Sequence, residues 1–400
     1  MGRGPLSGVR VLDLTAVVVG PTCTLTFAEQ GAEVIKLEPP EGDLLRRLGG
    51  PAPSPDMSPK FIHFNRGKRS IAMDLKTVEG REVLARLAAR ADVLVTNMRG
   101  AALARLGITR EALHGLNQRL ILCVIAGFGS AGPYADLPAY DTIIQGAAGF
   151  ASALGRVLGE PRFAPFVLCD HITGHMAAQA VCAALYARER TGEGQAIEVP
   201  MFECMAHFVL AEHMAARSFD PEGATGDPRV MNAEARPIPT ADGHIAVSAN
   251  TDAQAFAFFE AIGRPELRDD PRFSSVAARF RNVDAYFALR AEALRARPTA
   301  HWVEAFRARG IPAMPMNSIE GLLEDPQLWA SGLLRREVHP SEGPMTGLGR
   351  PIAFASAGPE ALPLAPRLSA DAPAILAEAG YTEAEAAALF AAGAVRPPPA

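Results

Sequence analysis

The sequence predicts an α/β protein built on a parallel β-sheet. Three observations carry that expectation. Short β-rich runs alternate with helix-like segments through the N-terminal half. The runs are almost continuously apolar, as strands buried on both faces must be. A strand, a helix and a strand also fit within about thirty residues at the start of the chain, which is the size of a βαβ unit.

The first run is "RVLDLT" (Arg10–Thr15). A loop holding Gly20 and Pro21 follows, then the helix-like "TLTFAEQ", which Gly31 ends. "EVIKLE" (Glu33–Glu38) is the second strand. The proline-rich stretch Gly50–Pro59 reads as a loop on the way to "FIHFNRGKRSIAMDLK". In "TVEGREVLARLAARA" the spacing puts Val83, Leu84, Leu87 and Ala88 on one helical face, and the strand "DVLVTN" comes next. "REALHGLNQR" is helical and "LILCVIA" is a strand. After Asp170 a long helix runs to about Arg190, "TGEGQ" turns the chain, "AIEVPM" is a strand, and another helix starts near Phe202.

The periodicity breaks over Phe219–Pro237. The expected division is therefore a large α/β domain over 1–218, a linker over 219–237, a smaller unit over 238–328 and a final segment over 329–400. The smaller unit opens on a strand pair around "TADGHIAVSAN" and continues as helices. The tail ends in two short helices and a frayed "RPPPA".

Composition narrows the function classes. The 400 residues leave room for two or three domains, and 48% hydrophobic with 21% charged residues is an ordinary globular balance. A net charge of −5 without blocks of like charge offers no footprint for nucleic acid. Five scattered cysteines, with no C-x-x-C, fit the reduced thiols of a cytoplasmic protein. No apolar run is long enough to span a bilayer, and "MGRGPLSG" lacks the apolar core of a signal peptide.

Several motifs compete for the chemistry. "GFGSAG" (Gly127–Gly132) has the form of a dinucleotide fingerprint, but Pro133 and Pro138 argue against the helix that must open at its third glycine. No nicotinamide or flavin is expected there. His171 and His175 share a helical face, yet no glutamate adjoins the first and no third ligand is evident, so no metal is expected. Arg66, Lys68, Arg69, Lys76, Arg99 and Arg105 are solvated charges or, where they fall beyond strand ends, contacts for an anion such as a phosphate. Asp170 precedes a helical segment and suits an N-cap. A carboxylate held ionised by a helix N-terminus can equally attack an electrophile. Gly174, Ala177, Ala178 and Ala180 would let a backbone or a long ligand approach closely. The residues alone leave both readings of Asp170 open.

A resemblance resolves them. "GPLSGVRVLDLT", "GAEVIKLEPPEGD", "FNRGKRSIAMDLKTVEGRE", "ADVLVTNMRG", "RLGIT", "GFGSAGPYADLPAYDTIIQGAAGF", "AALYARERTGEGQAIEVPMFE", "TADGHIAV", "IGRPELRDDPRF" and "ILAEAGYTEAE" occur in order along nearly the whole chain. In this it resembles the class III CoA-transferases, the group that includes formyl-CoA transferase, carnitine CoA-transferase and bile-acid-inducible CoA-transferases. The resemblance implies that Asp170 in "LCDHITG" is the nucleophile, with Tyr140 and Asp141 of "AYDTI" beside it. It implies coenzyme A contacts at Val18, Val19, Lys76, Asn97, Met98, Arg99 and Arg105.

The resemblance further implies an acyl-CoA donor and a carboxylic acid acceptor, with coenzyme A as substrate and no tightly bound cofactor. It implies a Rossmann-like large domain, made of the N-terminal half and the tail, plus a smaller α+β domain. It implies that two such chains form an interlocked-ring homodimer. The related α-methylacyl-CoA racemases carry a histidine where this chain has Tyr140, and tyrosine is a far weaker base near neutral pH. Transfer is therefore expected over racemisation. Pro39 stands where formyl-CoA transferase has an arginine beside the adenine, and Val18 where it has a glutamine near the nucleophile. Its active-site glycine run has its nearest counterpart in "PEGATGD". These departures point away from formyl-CoA and oxalate.

Overall fold

The computed structural model of the chain describes residues 4–135, 137–356 and 361–399. Of the stretches read above, Asp136 of "PYADLP" and the ends of the first and last stretches lie outside them. The chain forms two compact units: 1–148, 164–208 and 326–400 make the first, and 149–163 with 209–325 make the second. The sequence expectation divided the chain near 218, 238 and 328 and returned the final segment to the large domain.

The first unit begins with β1 (Arg10–Leu14), α1 (Val19–Glu29), β2 (Glu33–Glu38), α2 (Pro59–Asn65) and β3 (Lys68–Ala72). It continues with α3 (Val78–Ala88), β4 (Val93–Thr96), α4 (Gly100–Arg105), α5 (Arg110–Leu116), β5 (Ile121–Ala126) and α6 (Asp141–Ala147). Helix α7 (Phe150–Leu158) belongs to the second unit, after which come α8 (Leu168–Thr191), β6 (Ala196–Pro200) and α9 (Met201–His213).

The strands form a six-stranded, all-parallel sheet in the order β3-β2-β1-β4-β5-β6. This is the doubly wound dinucleotide-fold order, which reverses between β1 and β4. Alternate residues supply the two faces. Leu12, Ile35, Ile71 and Leu94 pack with Val83, Leu84 and Leu87 of α3. Val11, Val34, Val93 and Cys123 pack with Phe27 of α1 and Ala177, Ala178 and Val181 of α8. The four apolar positions read on α3 are all buried, and Thr77 caps that helix through the Gly80 amide.

Helix α1 starts earlier than expected. Gly20 and Pro21 lie in its first turn, where proline costs no hydrogen bond. Gly31, with φ +94°, terminates it as expected. No helix opens at Gly132, and the next one begins at Asp141.

In the second unit, strands β7 (Ile238–Pro239), β8 (His244–Val247) and β9 (Ala313–Pro315) form an antiparallel sheet in that order. Helices α10 (Asp252–Ala261), α11 (Val276–Arg281), α12 (Val283–Leu294) and α13 (Thr299–Arg307) accompany it. Phe258, Phe259, Trp302 and Phe306 fill its core. Downstream, a hairpin of β10 (Leu334–His339) and β11 (Gly343–Leu348), which the sequence reading did not contain, belongs to the first unit. The two tail helices lie over Ala372–Glu378 and Glu383–Ala391, and their Ile375, Leu376 and Leu389 join the same sheet face as α3. No helix of the described residues is long and apolar enough to cross a membrane.

Candidate active site

Parallel strands direct all their C-terminal ends to one edge, and ligands of such sheets bind outside that edge where the strand order reverses. Here the reversal lies between β1 and β4. Val18 and Val19 follow β1, and Asn97, Met98 and Arg99 follow β4. The Asn97 side chain accepts from the Ala16 amide at 3.0 Å and donates to the Ala16 carbonyl at 2.9 Å. It thereby ties the two strand ends together. Val17 is held at φ +67°, an uncommon conformation for a β-branched residue, with its N–H on the Asp43 carboxylate at 3.0 Å. Val18 is buried in a cluster that also receives Val17 and Val167, the residue before α8.

Of the six basic candidates, Lys76, Arg99 and Arg105 are exposed beyond the ends of β3 and β4 or in α4. Arg66, Lys68 and Arg69 lie at the opposite end of β3 and serve the fold instead. Arg66 pairs with Glu29, Arg69 with Glu33 and Glu378, and Lys68 with Asp13.

Asp170 is the third residue of α8 and not its cap. The preceding Val167 caps nothing with its side chain. That task falls to Asp141, the first residue of α6. One of its carboxylate oxygens accepts from the Cys169 amide at 2.7 Å and the Asp170 amide at 3.3 Å. The other accepts from Gln145 Nε2 at 2.6 Å. Gln145, fully buried, also donates to the Phe166 carbonyl and accepts from the Ala164 amide. It fixes the segment that leads into α8. The Cys169 and Asp170 amides of the first turn of α8 are thus already taken and do not hold the Asp170 carboxylate.

Asp170 is a buried residue, at 8% exposure, and its carboxylate makes no hydrogen bond or ion pair among the described residues. Burial, with the charge of Asp141 adding to it, lifts its pKa from 3.8 to about 7. The expectation of a carboxylate kept ionised by its helix is corrected accordingly. The neighbouring Cys169 thiol is fully buried and pushed up to about 12 by the same burial and the same two carboxylates. It is an inert packing group.

Tyr140 precedes Asp141 in the chain and is 69% exposed. The small residue at 174 serves packing: a Cβ there would fall 2.6 Å from the Val19 carbonyl oxygen, so α1 itself makes the close approach. His171 packs against Phe64 with the rings tilted and their centroids 5.4 Å apart, and His175 Nδ1 lies 3.5 Å from Thr26 Oγ1. Among the described residues no group of His, Cys, Asp or Glu side chains comes together to hold a metal. The amides of Gly129 and Ser130 in "GFGSAG" donate to the carboxylates of Glu203 and Glu198, which leaves them no phosphate to bind.

The sequence reading missed a buried charge cluster behind the site. Asp13 pairs with Lys68, Lys36 with Asp43 and Glu38 with Arg46, all nearly solvent-free. Lys36 also donates to the Thr15 carbonyl, and Thr15 and Thr24 donate to Asp13. The cluster positions the turn after β1. A signal was present: Asp13 and Lys36 are each flanked by apolar residues inside their strands and are register partners across β1 and β2.

The model of CoA-transferase family III matches residues 6–372. The succinate–glutarate CoA-transferase of Agrobacterium fabrum is 36% identical over 83% of this chain and 84% of its own length. The acetyl-CoA:oxalate CoA-transferase of Acetobacter aceti is 34% identical over 96% of this chain and 98% of its own. The crystal structure of a CAIB/BAIF family protein from Brucella suis superposes with a TM-score of 0.78 at 34% identity, covering 94% of this chain and all of that one.

Proposed function

Because the chain belongs to CoA-transferase family III, we propose that it moves coenzyme A between carboxylic acids on the side chain of Asp170. The observation that carries this reading is a buried carboxylate without a partner, placed at the end of the sheet where ligands bind. The ionised Asp170 attacks the thioester carbonyl of the donor. The C–S bond breaks, coenzyme A leaves as thiolate, and a mixed anhydride remains on Asp170. The thiolate then attacks the aspartyl carbonyl, giving an aspartyl-CoA thioester and the free donor acid. The acceptor carboxylate runs the same steps in reverse. One difficult exchange becomes two easier ones on a single carboxylate.

The pKa near 7 supports this role. A carboxylate that is poorly solvated and unbonded is a better nucleophile than one held by donors. Asp141 adds negative charge beside it and fixes the helix end that carries it. Its burial also keeps water from the activated intermediates. Val18, Val19, Asn97 and Met98 border the crevice between β1 and β4, where coenzyme A lies in this reading. Exposed Lys76, Arg99 and Arg105 meet its phosphates. Tyr140 contacts the acyl group. Coenzyme A is a substrate, and no other cofactor takes part.

We further propose a homodimer of interlocked chains, for which exposed Ile143 and Phe166 in the first unit offer apolar surface. The free cysteines suit a cytoplasmic location. Racemisation is not favoured: the relatives are named as transferases, and a tyrosine occupies position 140. The test is coenzyme A exchange across a panel of acyl-CoA donors and acid acceptors, run in deuterium oxide. Transfer without deuterium at the α-carbon, lost by more than about a thousandfold in Asp170→Ala, is the expected result. Deuterium uptake without transfer would overturn it.

A further inference from the structure

The second unit contains a cavity of about 850 Å³ whose lining lies entirely within that unit. Val230, Val276, Phe280, Phe287 and Met314 give it apolar walls. Four arginines also line it, and they are treated differently. Arg229 pairs with Asp227, Arg236 with Glu234 and Arg279 with Asp252. Arg290 has no carboxylate partner among the described residues.

Arg290 is only 7% exposed. One terminal nitrogen donates to the Val247 carbonyl, and Nε is buried with no acceptor. Its guanidinium lies 5.9 Å from the Phe258 ring centroid, 5.4 Å from that of Tyr286 and 5.7 Å from that of Phe287. Ring faces compensate a buried cation in part, but an ion pair does so far better. Burial accordingly lowers the pKa of Arg290, whereas Arg279 has the Asp252 carboxylate 2.7 Å away. The lining acid not committed to an arginine, Glu212, has a half-exposed side chain that lies 4.0 Å from His213.

A roomy apolar cavity with one uncompensated guanidinium is built for an organic anion. We propose that it binds a carboxylic acid with an apolar body, the carboxylate paired with Arg290 and the body along Phe280 and Phe287. A small inorganic anion such as phosphate would leave those walls unused. The site is independent of the chemistry proposed at Asp170 and stands or falls separately.

Isothermal titration of the intact protein with octanoate, and with inorganic phosphate as control, tests it. Arg290→Gln removes the charge. Ala246→Trp fills the cavity from an exposed position on β8 and spares the core, so it covers the case in which Arg290→Gln does not fold. Octanoate should bind the wild type and Asp170→Ala within about twofold of each other, weaken by about tenfold or more in the two cavity variants, and outcompete phosphate. No binding by the wild type, equal binding by folded Ala246→Trp, loss in Asp170→Ala, or a preference for phosphate would each overturn the proposal.

Discussion

Two buried aspartates of the first unit, Asp13 and Asp170, differ in one respect. Asp13 is fully buried and surrounded by donors: Lys68 at 2.9 Å, Thr24 at 2.7 Å and Thr15. Burial alone would raise its pKa, but Lys68 and Lys36 outweigh it and hold the carboxyl down at about 2. Asp170 is almost as deeply buried and has no donor, and its pKa rises to about 7. A paired buried charge holds structure together, while an unpaired one is costly to the fold and available for chemistry. Asp141 stands between the two cases. It is buried and fully bonded, yet what it bonds is the backbone that presents Asp170.

The comparison breaks most sharply at Lys68. Lys68→Met leaves Asp13 buried beside Lys36 with its nearest cation gone, and should destabilise the protein by about 3–5 kcal/mol in urea unfolding. An effect below about 1 kcal/mol would mean that the cluster carries no structural weight.

A smaller effect of opposite sign is expected at Asp170. Its folded pKa lies above the ordinary 3.8, so the unfolded chain binds fewer protons between that value and about 7. The group's cost to stability is absent in acid, grows as pH rises through this window and is complete above it. Asp170→Asn should therefore raise Tm by about 3 °C or more near pH 8 and by clearly less near pH 5. Asp13 runs the other way: its stabilisation is present above its ordinary 3.8 and is lost as pH falls through about 2. The same titration of Asp170 should appear in turnover, with kcat/KM rising along a single-proton limb centred near pH 7. A limb near pH 4 would contradict the raised pKa. The smallest effect belongs to Tyr140. Its side chain is exposed and makes no hydrogen bond among the described residues, so Tyr140→Phe should change KM for the acyl donor more than kcat and leave Tm within about 1 °C.

The sheet and α3 were legible because both-face burial leaves apolar runs and Thr77 announces its helix. The start of α1 was not, since Val19-Gly20-Pro21 looks like a loop until the first turn is seen to need no donor from Pro21. Asp170 was legible as a residue of interest, but its environment was not. The cap of α8 comes from Asp141, 28 residues earlier, and no local pattern encodes it. The pairing of Asp13 with Lys68 spans 55 residues and is hidden for the same reason. The Arg290 cavity left no trace at all, because its walls come from segments scattered over the second unit.

The most direct test is mass spectrometry of the protein after incubation with acyl-CoA thioesters and trapping with hydroxylamine. An unpaired, activated Asp170 predicts a hydroxamate confined to the peptide that contains it and absent from Asp170→Ala. Efficient transfer with no adduct there, or with the adduct on another carboxylate, would contradict the account.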